Sequence, residues 1–464
     1  MNMKNKFWLT HFANDLDAFI PEVWAQESLM ILFENVVWTG LVHTDFSDEI
    51  AEFGDVVNTR QPAKFVSKRK TDADDVTDQD AIAPNVPVKL NLHEHVSFVI
   101  KDGQESKGFK NLRQTYLVPA LEAIAKGLEQ DVSGARFEFV NTNDPVGNLG
   151  TALTKANFIK ATTQLDNQLC PENGRNFIVS AGMKGDILNI ADFTTADKIG
   201  DPGTVMRTGS LGELMGMRTH MSQNSKIISG NQKQLGILIN NAAGYAKGTT
   251  VLTVDGLVGG TAPVPGEWIT VAGDDTPQML TSVTGGGTPT SLTITPGLKR
   301  AVVDNAAIVH YRGALVNNAL GYAVDFAKDI TVDGLTTAPN TGSLVSAGVT
   351  SARDVYGARS TPTTTAIGLN RALATALADN AVMGIGPDGD YGFAFHRNAI
   401  ALISRPLALP AQGVGALSAV VNMNGVGLRV TITYDGKAQG HRVTVDLLAG
   451  IKVLDQQLGV LVYG

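Results

Sequence analysis

The chain has 464 residues, 43% of them apolar and 18% charged, with a net charge of −8. That balance describes a globular protein with chain enough for about three domains, and it argues against one whose main task is gripping nucleic-acid phosphates. A single cysteine, Cys170, excludes an intramolecular disulfide and leaves a cysteine-based metal cluster short of ligands, and no apolar run approaches the roughly 18 residues of a membrane span.

Lys4 and Lys6 open the chain, but His11, Asp15 and Asp17 interrupt any signal-peptide core, so the expected place of synthesis is the cytoplasm. Residues 18–34 read as a helix, with Pro21 in its first turn, Glu22 at the positive end of the dipole, and Val23, Trp24 and Ile31 as apolar contacts. Gly40 and the polar stretch after it end this opening segment.

From about 50 to 100 the charges are sorted. Lys64, Lys68, Arg69 and Lys70 run into Asp72, Asp74, Asp75, Asp78 and Asp80. Val88, Leu90, Leu92, Val96, Phe98 and Ile100 then share one parity, opposite Lys89, Asn91, His93, His95 and Ser97. This alternation predicts one half-buried strand of roughly 40 Å, with the residues before Lys64 as its return partner. A two-stranded arm with a charged tip is marginal alone, and its open edges invite a neighbouring copy of the same chain. The basic stretch could grip phosphate. Beyond Phe65, however, it has no aromatic platform, and the aspartates beside it favour charge pairing between subunits.

A second helix is expected over 107–132, where Leu117, Leu121, Ile124 and Leu128 recur at helical spacing; Pro119 inside it predicts a kink or a late start. A third helix, 152–169, leads through Pro171-Glu172-Asn173-Gly174 into a short strand from Phe177 to Val179. A Gly-rich segment, 200–216, carries Arg207 and is followed by Arg218.

From about 225 the texture turns to short Thr/Val strands and Gly/Pro turns, consistent with the 49 glycines and 6% aromatics. Leu238–Ala246 (LINNAAGYA) matches Leu315–Ala323 (LVNNALGYA), each followed by TVDGL, and the TPT…DNA run from Thr288 has a counterpart from Thr361. These offsets are those of a diverged tandem duplication, although the Ala-rich end of the second copy also reads as an ordinary helix. After Phe393, Leu428, Val430, Ile432 and Tyr434 face one way, Tyr434-Asp435-Gly436-Lys437 turns the chain, and Val443, Val445 and Leu447 return as a hairpin. Gly450–Tyr463 is expected to add a last strand.

No chemistry converges. His93-Glu94-His95 could present two ligands on one strand face, but the plainer reading is the polar side of that strand, since no third ligand is evident. Gly384–Gly389 matches GxGxxG without the strand-turn-helix context, and it contains a Pro-Asp-Gly turn. Gly209-Ser210-Leu211-Gly212 lacks nucleophile-elbow spacing, and Cys170 at a helix end reads as structural. The eight histidines form no triad pattern. Neither an enzyme nor a cofactor is expected.

FIPEVWAQESLMILFENVVWTGLV and the charged arm after it resemble the N-terminal region of tailed-bacteriophage major capsid proteins. LTKANFIKATTQLDNQLCPENGRNFIVSAGMKGDIL is similar to the helix-turn-strand of that family's central domain, and GSLGELMGMRTHMSQN to its edge segment. HRNAIALISRPL and VTVDLLAGIKVLDQQLGVLVYG resemble its closing strands. The nearest type is the podophage coat protein with an insertion domain.

The resemblance implies an α+β Hong Kong 97-type fold: an N-terminal arm and helix (1–40), and a peripheral domain (41–135) with an extended loop at about 50–100 and a spine helix at 107–132. An axial domain (136–224 and 391–430), an inserted β-rich domain (225–390) and C-terminal peripheral strands (431–464) would complete it. It further implies self-assembly as hexamers and pentamers into an icosahedral virion shell. The partners implied are packaged double-stranded DNA bound without sequence preference, a scaffolding protein and a portal, with a decoration protein left open and no membrane contact. The inter-subunit contact candidates are Lys64, Lys68, Arg69, Lys70, Asp72, Asp74, Asp75, Asp78 and Asp80. Two other readings are a nanocompartment shell and a β-rich adhesin or carbohydrate-binding protein, the latter raised by the Thr/Gly-rich middle.

Overall fold

Leu428, Val430 and Ile432 are buried, as are Val443, Val445 and Leu447, while Arg429, Thr431 and Thr444 between them are partly exposed. A strand with one apolar face hides it only against another element, so these segments pair as β23 (Val426–Asp435) and β24 (Gly440–Val453). β22 (Ala416–Met423) lies beside β23, and β3 (Leu92–Lys101) pairs with β24. The computed structural model describes residues 37–44, 56–60, 65–72, 75–76, 78–80, 85–105, 116–140, 144–194, 211–257, 260–326, 328–348, 354–359, 362–411, 416–423 and 426–464. Their contacts form two units: one of His93–Ala125 and Ser404–Leu448, and a larger one of Val36–Leu92, Lys126–Ile403 and Ala449–Gly464.

This division differs from the expected boundary at 430/431. That boundary would cut β23 in the middle of its ladder with β24, whose rungs run from Leu428–Leu447 to Asp435–Gly440. The closing strand differs as well. Gly450–Val453 belongs to β24, and the last strand is β25 (Gly459–Tyr463), paired antiparallel to β20 (Tyr391–His396) in the larger unit. The helix expected at 18–34 and the segment 200–210 lie outside the described residues.

Helix α1 (Val118–Gly134) buries Leu121, Ile124, Leu128 and Val132 at the expected spacing. Pro119 follows Tyr116 and Leu117, which already turn helically, and the part of the expected 107–132 helix before Tyr116 lies outside the described residues. In the larger unit a six-stranded sheet runs β4 (Val146–Gly147), β25, β20, β5 (Arg175–Val179), β7 (Met217–Met221), β6 (Glu213–Leu214). Helix α2 (Lys155–Asn167) packs Phe158, Ala161 and Leu165 into one core with Phe177, Val460 and Val462. Helix α3 (Ala181–Asn189) was not expected, because its two glycines weaken the periodic signal. Its N-terminus is fixed by Ser180, whose Oγ accepts from Met183 N at 3.1 Å.

Two closed six-stranded barrels fill the region from Lys233 to Ile385. The first comprises β8 (Lys233–Ile239), β9 (Val251–Asp255), β10 (Trp268–Val271), β11 (Gln278–Thr284), β12 (Ser291–Thr295) and β13 (Ala307–Tyr311). The second comprises β14 (Ala314–Val316), β15 (Ile330–Asp333), β16 (Leu344–Ala347), β17 (Val355–Arg359), β18 (Ala366–Leu369) and β19 (Val382–Ile385). In both, the strands go round in the order first, second, fifth, fourth, third, sixth. The matched segments sit at equivalent places. Asn241 Nδ2 donates to Gly244 O and Asn318 Nδ2 to Gly321 O, both at 2.8 Å; Thr253 N donates to Tyr245 Oη and Thr331 N to Tyr322 Oη, both at 2.8 Å. The Ala-rich end of the second copy forms β18 and turns, with no helix.

The barrels are joined through a two-residue link and a buried polar cluster. Trp268 Nε1 donates to Ser346 Oγ at 2.9 Å, Gly313 N donates to Glu267 Oε1 at 2.8 Å, and Glu267 Oε2 lies 2.5 Å from His310 Nε2. The first barrel is tied to the loop around β4: Arg300 donates to Gly147 O at 2.7 Å and to Asp274 O at 2.8 Å. The second is tied to the end of α1, where Asn370 Nδ2 donates to Asp131 O at 3.0 Å and Arg359 Nε is 3.2 Å from the buried Asp131 carboxylate.

Candidate inter-subunit interface

Val56–Arg60 (β1) and Asn85–Lys89 (β2) pair antiparallel, Val56 with Lys89 and Arg60 with Asn85. Val57 and Val88, opposite one another, are buried. At the tip, Val66 N donates to the side-chain Oε1 of Gln79 at 2.9 Å. Lys68, Arg69, Lys70, Asp72, Asp75, Asp78 and Asp80 are all exposed on that tip, while Lys64 and Asp74 lie outside the described residues. The Val66–Gln79 hydrogen bond brings the segments that carry the two charge runs together at one end of the arm.

The single long strand expected over 88–100 is two strands. β2 ends at Lys89 and pairs with β1, whereas β3 starts at Leu92 and pairs with β24. Both carry the same alternation, so parity runs unbroken through Leu90 while the partner changes. Five rungs at about 3.4 Å each make the described ladder roughly 17 Å long.

The root of this arm is held by Asp325, which sequence reasoning did not single out. Lys89 Nζ lies 2.8 Å from Asp325 Oδ2, and Asn91 Nδ2 is 3.4 Å from Asp325 Oδ1. A cleft of about 240 Å³ beside them is lined by Pro87, Val324, Arg371 and Ile451 among others. Lys89 and Asp325 are 236 residues apart, and nothing local in the sequence marks the pair.

Trp38 is anchored nearby in the chain. Its ring stacks on Phe395 at 6.0 Å and on Phe393 at 6.2 Å, with the Arg136 guanidinium 5.8 Å from it. Burial pushes the Arg136 value down to about 10, against the attraction of Asp390. Glu129 of α1 accepts from Val37 N, from Trp38 N at 2.8 Å, from Ser222 Oγ at 3.2 Å and from Asn224 Nδ2 at 2.8 Å.

The segments tested for chemistry are structural in their surroundings. His93 and His95 have ring centroids 5.9 Å apart on the polar face of β3, and Asp446, 3.9 Å from His93, is held by Arg429 through two hydrogen bonds of 3.0 and 2.6 Å. Gly384 and Gly386 belong to close barrel packing, since an added Cβ would lie 2.1 Å from Gly266 O and 2.6 Å from Leu344. Cys170 is buried, and burial raises its thiol value. Among the described residues no group of three or more His, Cys, Asp or Glu is placed to hold a metal, and no helix is long and apolar enough to cross a membrane.

No protein-family model matches the chain, and no curated protein does. The chain is similar to solved phage structures. One is from Mycobacterium phage Che8, at 13% identity over 92% of this chain and 90% of that one, with a TM-score of 0.42. The capsid of cyanophage P-SCSP1u matches at 11% identity over 91% and 88%, TM-score 0.41, and that of Staphylococcus phage Andhra at 8% over 91% and 84%, TM-score 0.39. Each score lies below 0.5, a likeness too distant to assign a role to any residue of this chain.

Proposed function

We propose that this chain is a shell subunit, the major capsid protein of a tailed bacteriophage with a Hong Kong 97-type fold. The observation that carries the reading is the arm. A hairpin of five described rungs ends in a tip whose seven described charged residues are all exposed, within a chain whose segments resemble that family from residue 15 to 224 and from 393 to 464. Charged side chains gathered at the end of a narrow hairpin add little to the fold of their own chain. They are suited to steering and registering contacts with other copies. Many such weak contacts let misplaced subunits leave before a shell closes.

On this reading β1, β2 and the tip are the extended loop, and α1 is the spine helix. The six-stranded sheet with α2 and α3 is the axial domain, and the two barrels are an insertion that arose by duplication. Subunits would form hexamers and pentamers around double-stranded DNA, with a scaffolding protein and a portal as assembly partners. Catalysis has no part in this role.

Sedimentation of the purified chain, with negative-stain microscopy of the fast fraction, tests the reading. Uniform closed particles are expected, together with their loss when Asp72–Asp80 are deleted. A parent chain that stays monomeric at high concentration would overturn the shell function; particles that form equally well without the acidic run would overturn the role of the tip.

A further inference from the structure

The two barrels repeat one another closely enough that a difference between them can be read. Gly248 in the first barrel and Asp325 in the second occupy the same place. Gly248 N donates to Leu298 O at 2.7 Å and Asp325 N to Leu373 O at 2.9 Å; in return Leu298 N donates to Thr249 O at 2.9 Å and Leu373 N to Phe326 O at 3.0 Å. Both residues have left-handed backbone, with φ of +90° at Gly248 and +65° at Asp325. Glycine adopts that conformation freely, whereas a residue with a Cβ does so at a cost. The first barrel keeps the unstrained residue. The second carries a carboxylate there, and it is this barrel whose carboxylate meets the root of the arm, through Lys89 Nζ at 2.8 Å and Asn91 Nδ2 at 3.4 Å.

We infer that the second barrel is an anchor for the arm: Asp325, at a site where its sister barrel has glycine, latches Lys89 and Asn91 and so fixes the direction in which the hairpin leaves the body. The geometry favours a latch over an incidental surface pair. Lys89 is the last residue of β2, and its rung partner Val56 is the first of β1, so a hold at this point acts on the base of both strands. The backbone on either side is restrained too. An added Cβ at Gly450 would lie 2.3 Å from Lys89 O, and Val88 and Leu90 are buried. One end of the hairpin is therefore set by packing, and its angle is set by a pair that salt can weaken, since Lys89 and Asp325 keep 52% and 44% of their side-chain surface exposed. The latch does not depend on the shell reading, because both partners belong to one chain.

Amide hydrogen exchange in β2, measured on the full-length unassembled chain, tests it. Asp325→Gly restores the sister barrel's residue and relieves the strained backbone, so the barrel should melt at an unchanged or higher temperature. Exchange in β2 should nevertheless become about three- to fivefold faster, the size expected for a half-exposed pair. Lys89→Met should do the same, the double variant should be no faster than either single one, and about 1 M salt should shrink the difference. Gly248→Asp in the first barrel should leave β2 unaffected. Unchanged exchange in Asp325→Gly, or effects of the two substitutions that multiply, would overturn the latch.

Discussion

Glu129 lies on a helix whose sequence gives it no distinction from an ordinary surface acid, yet it is buried and takes four donors from two separate chain segments. Glu129→Gln keeps the size and removes half the accepting capacity, leaving buried donors without partners. It should destabilise the chain by about 2 kcal/mol in urea unfolding, and an unchanged midpoint would mean those donors find other acceptors. Asp144 behaves differently. The hydrogen bond from Lys247, at 2.7 Å to both carboxylate oxygens, and then the lysine's charge hold Asp144 below the usual carboxylate range. A carboxylate whose folded value is depressed adds stability that is complete above its unfolded value, near pH 4, and is lost as pH falls through the folded value. Both side chains are about half exposed, so the effect is at most about 1 kcal/mol. Asp144→Asn should flatten the acid limb of a stability-against-pH curve and lower pH 7 stability by the same amount, at most about 1 kcal/mol; an acid limb identical to the parent's would refute the assignment.

At the scale of elements, β17 and the end of α1 bring barrel and helix backbones close together. A Cβ on Gly357 would lie 2.8 Å from Gly134 Cα, and one on Gly134 would lie 2.5 Å from the Asn370 side chain. Backbone cannot yield as a flexible side chain can, so Gly357→Ala should cost about 1–3 kcal/mol, read as a lower melting temperature. A melt unchanged from the parent would show that the strand and helix have room to part. Such contacts mark the limit of what sequence reveals. Periodicity exposes an element's buried face, so the 428–447 hairpin and the apolar stripe from Leu117 to Leu128 were legible. The duplicated segments were legible because turn chemistry, an Asn side chain bonded to a left-handed Gly, survives divergence. Pairing partners were not. β2 and β3 share one parity through Leu90, and alternation does not record which strand lies alongside. Nor did the candidate site contain its own anchor, since the acid that meets Lys89 lies 236 residues away on a barrel turn.

At the scale of the molecule, the tip poses a choice that sequence alone framed incompletely. Two charge runs of opposite sign were expected to seek partners on other subunits, yet the bond from Val66 N to the Gln79 side chain brings the segments that carry them together at one end of the arm. Pairing within the hairpin and pairing between subunits therefore compete for the same side chains. Exposed pairs contribute little to stability in either case, but only pairing between subunits makes assembly depend on which variants are mixed. Two variants separate these cases: Lys64, Lys68, Arg69 and Lys70 all changed to Glu in one, and Asp72, Asp74, Asp75, Asp78 and Asp80 all changed to Lys in the other. Each alone carries a tip of one sign and should fail to form particles. Mixed in equal amounts they should co-assemble, because an all-acidic tip meets an all-basic one on its neighbour, and sedimentation of the mixture reads this directly. If neither variant alone nor the mixture yields particles, the charges serve the hairpin's own closure, and the contact between subunits must lie elsewhere on the arm.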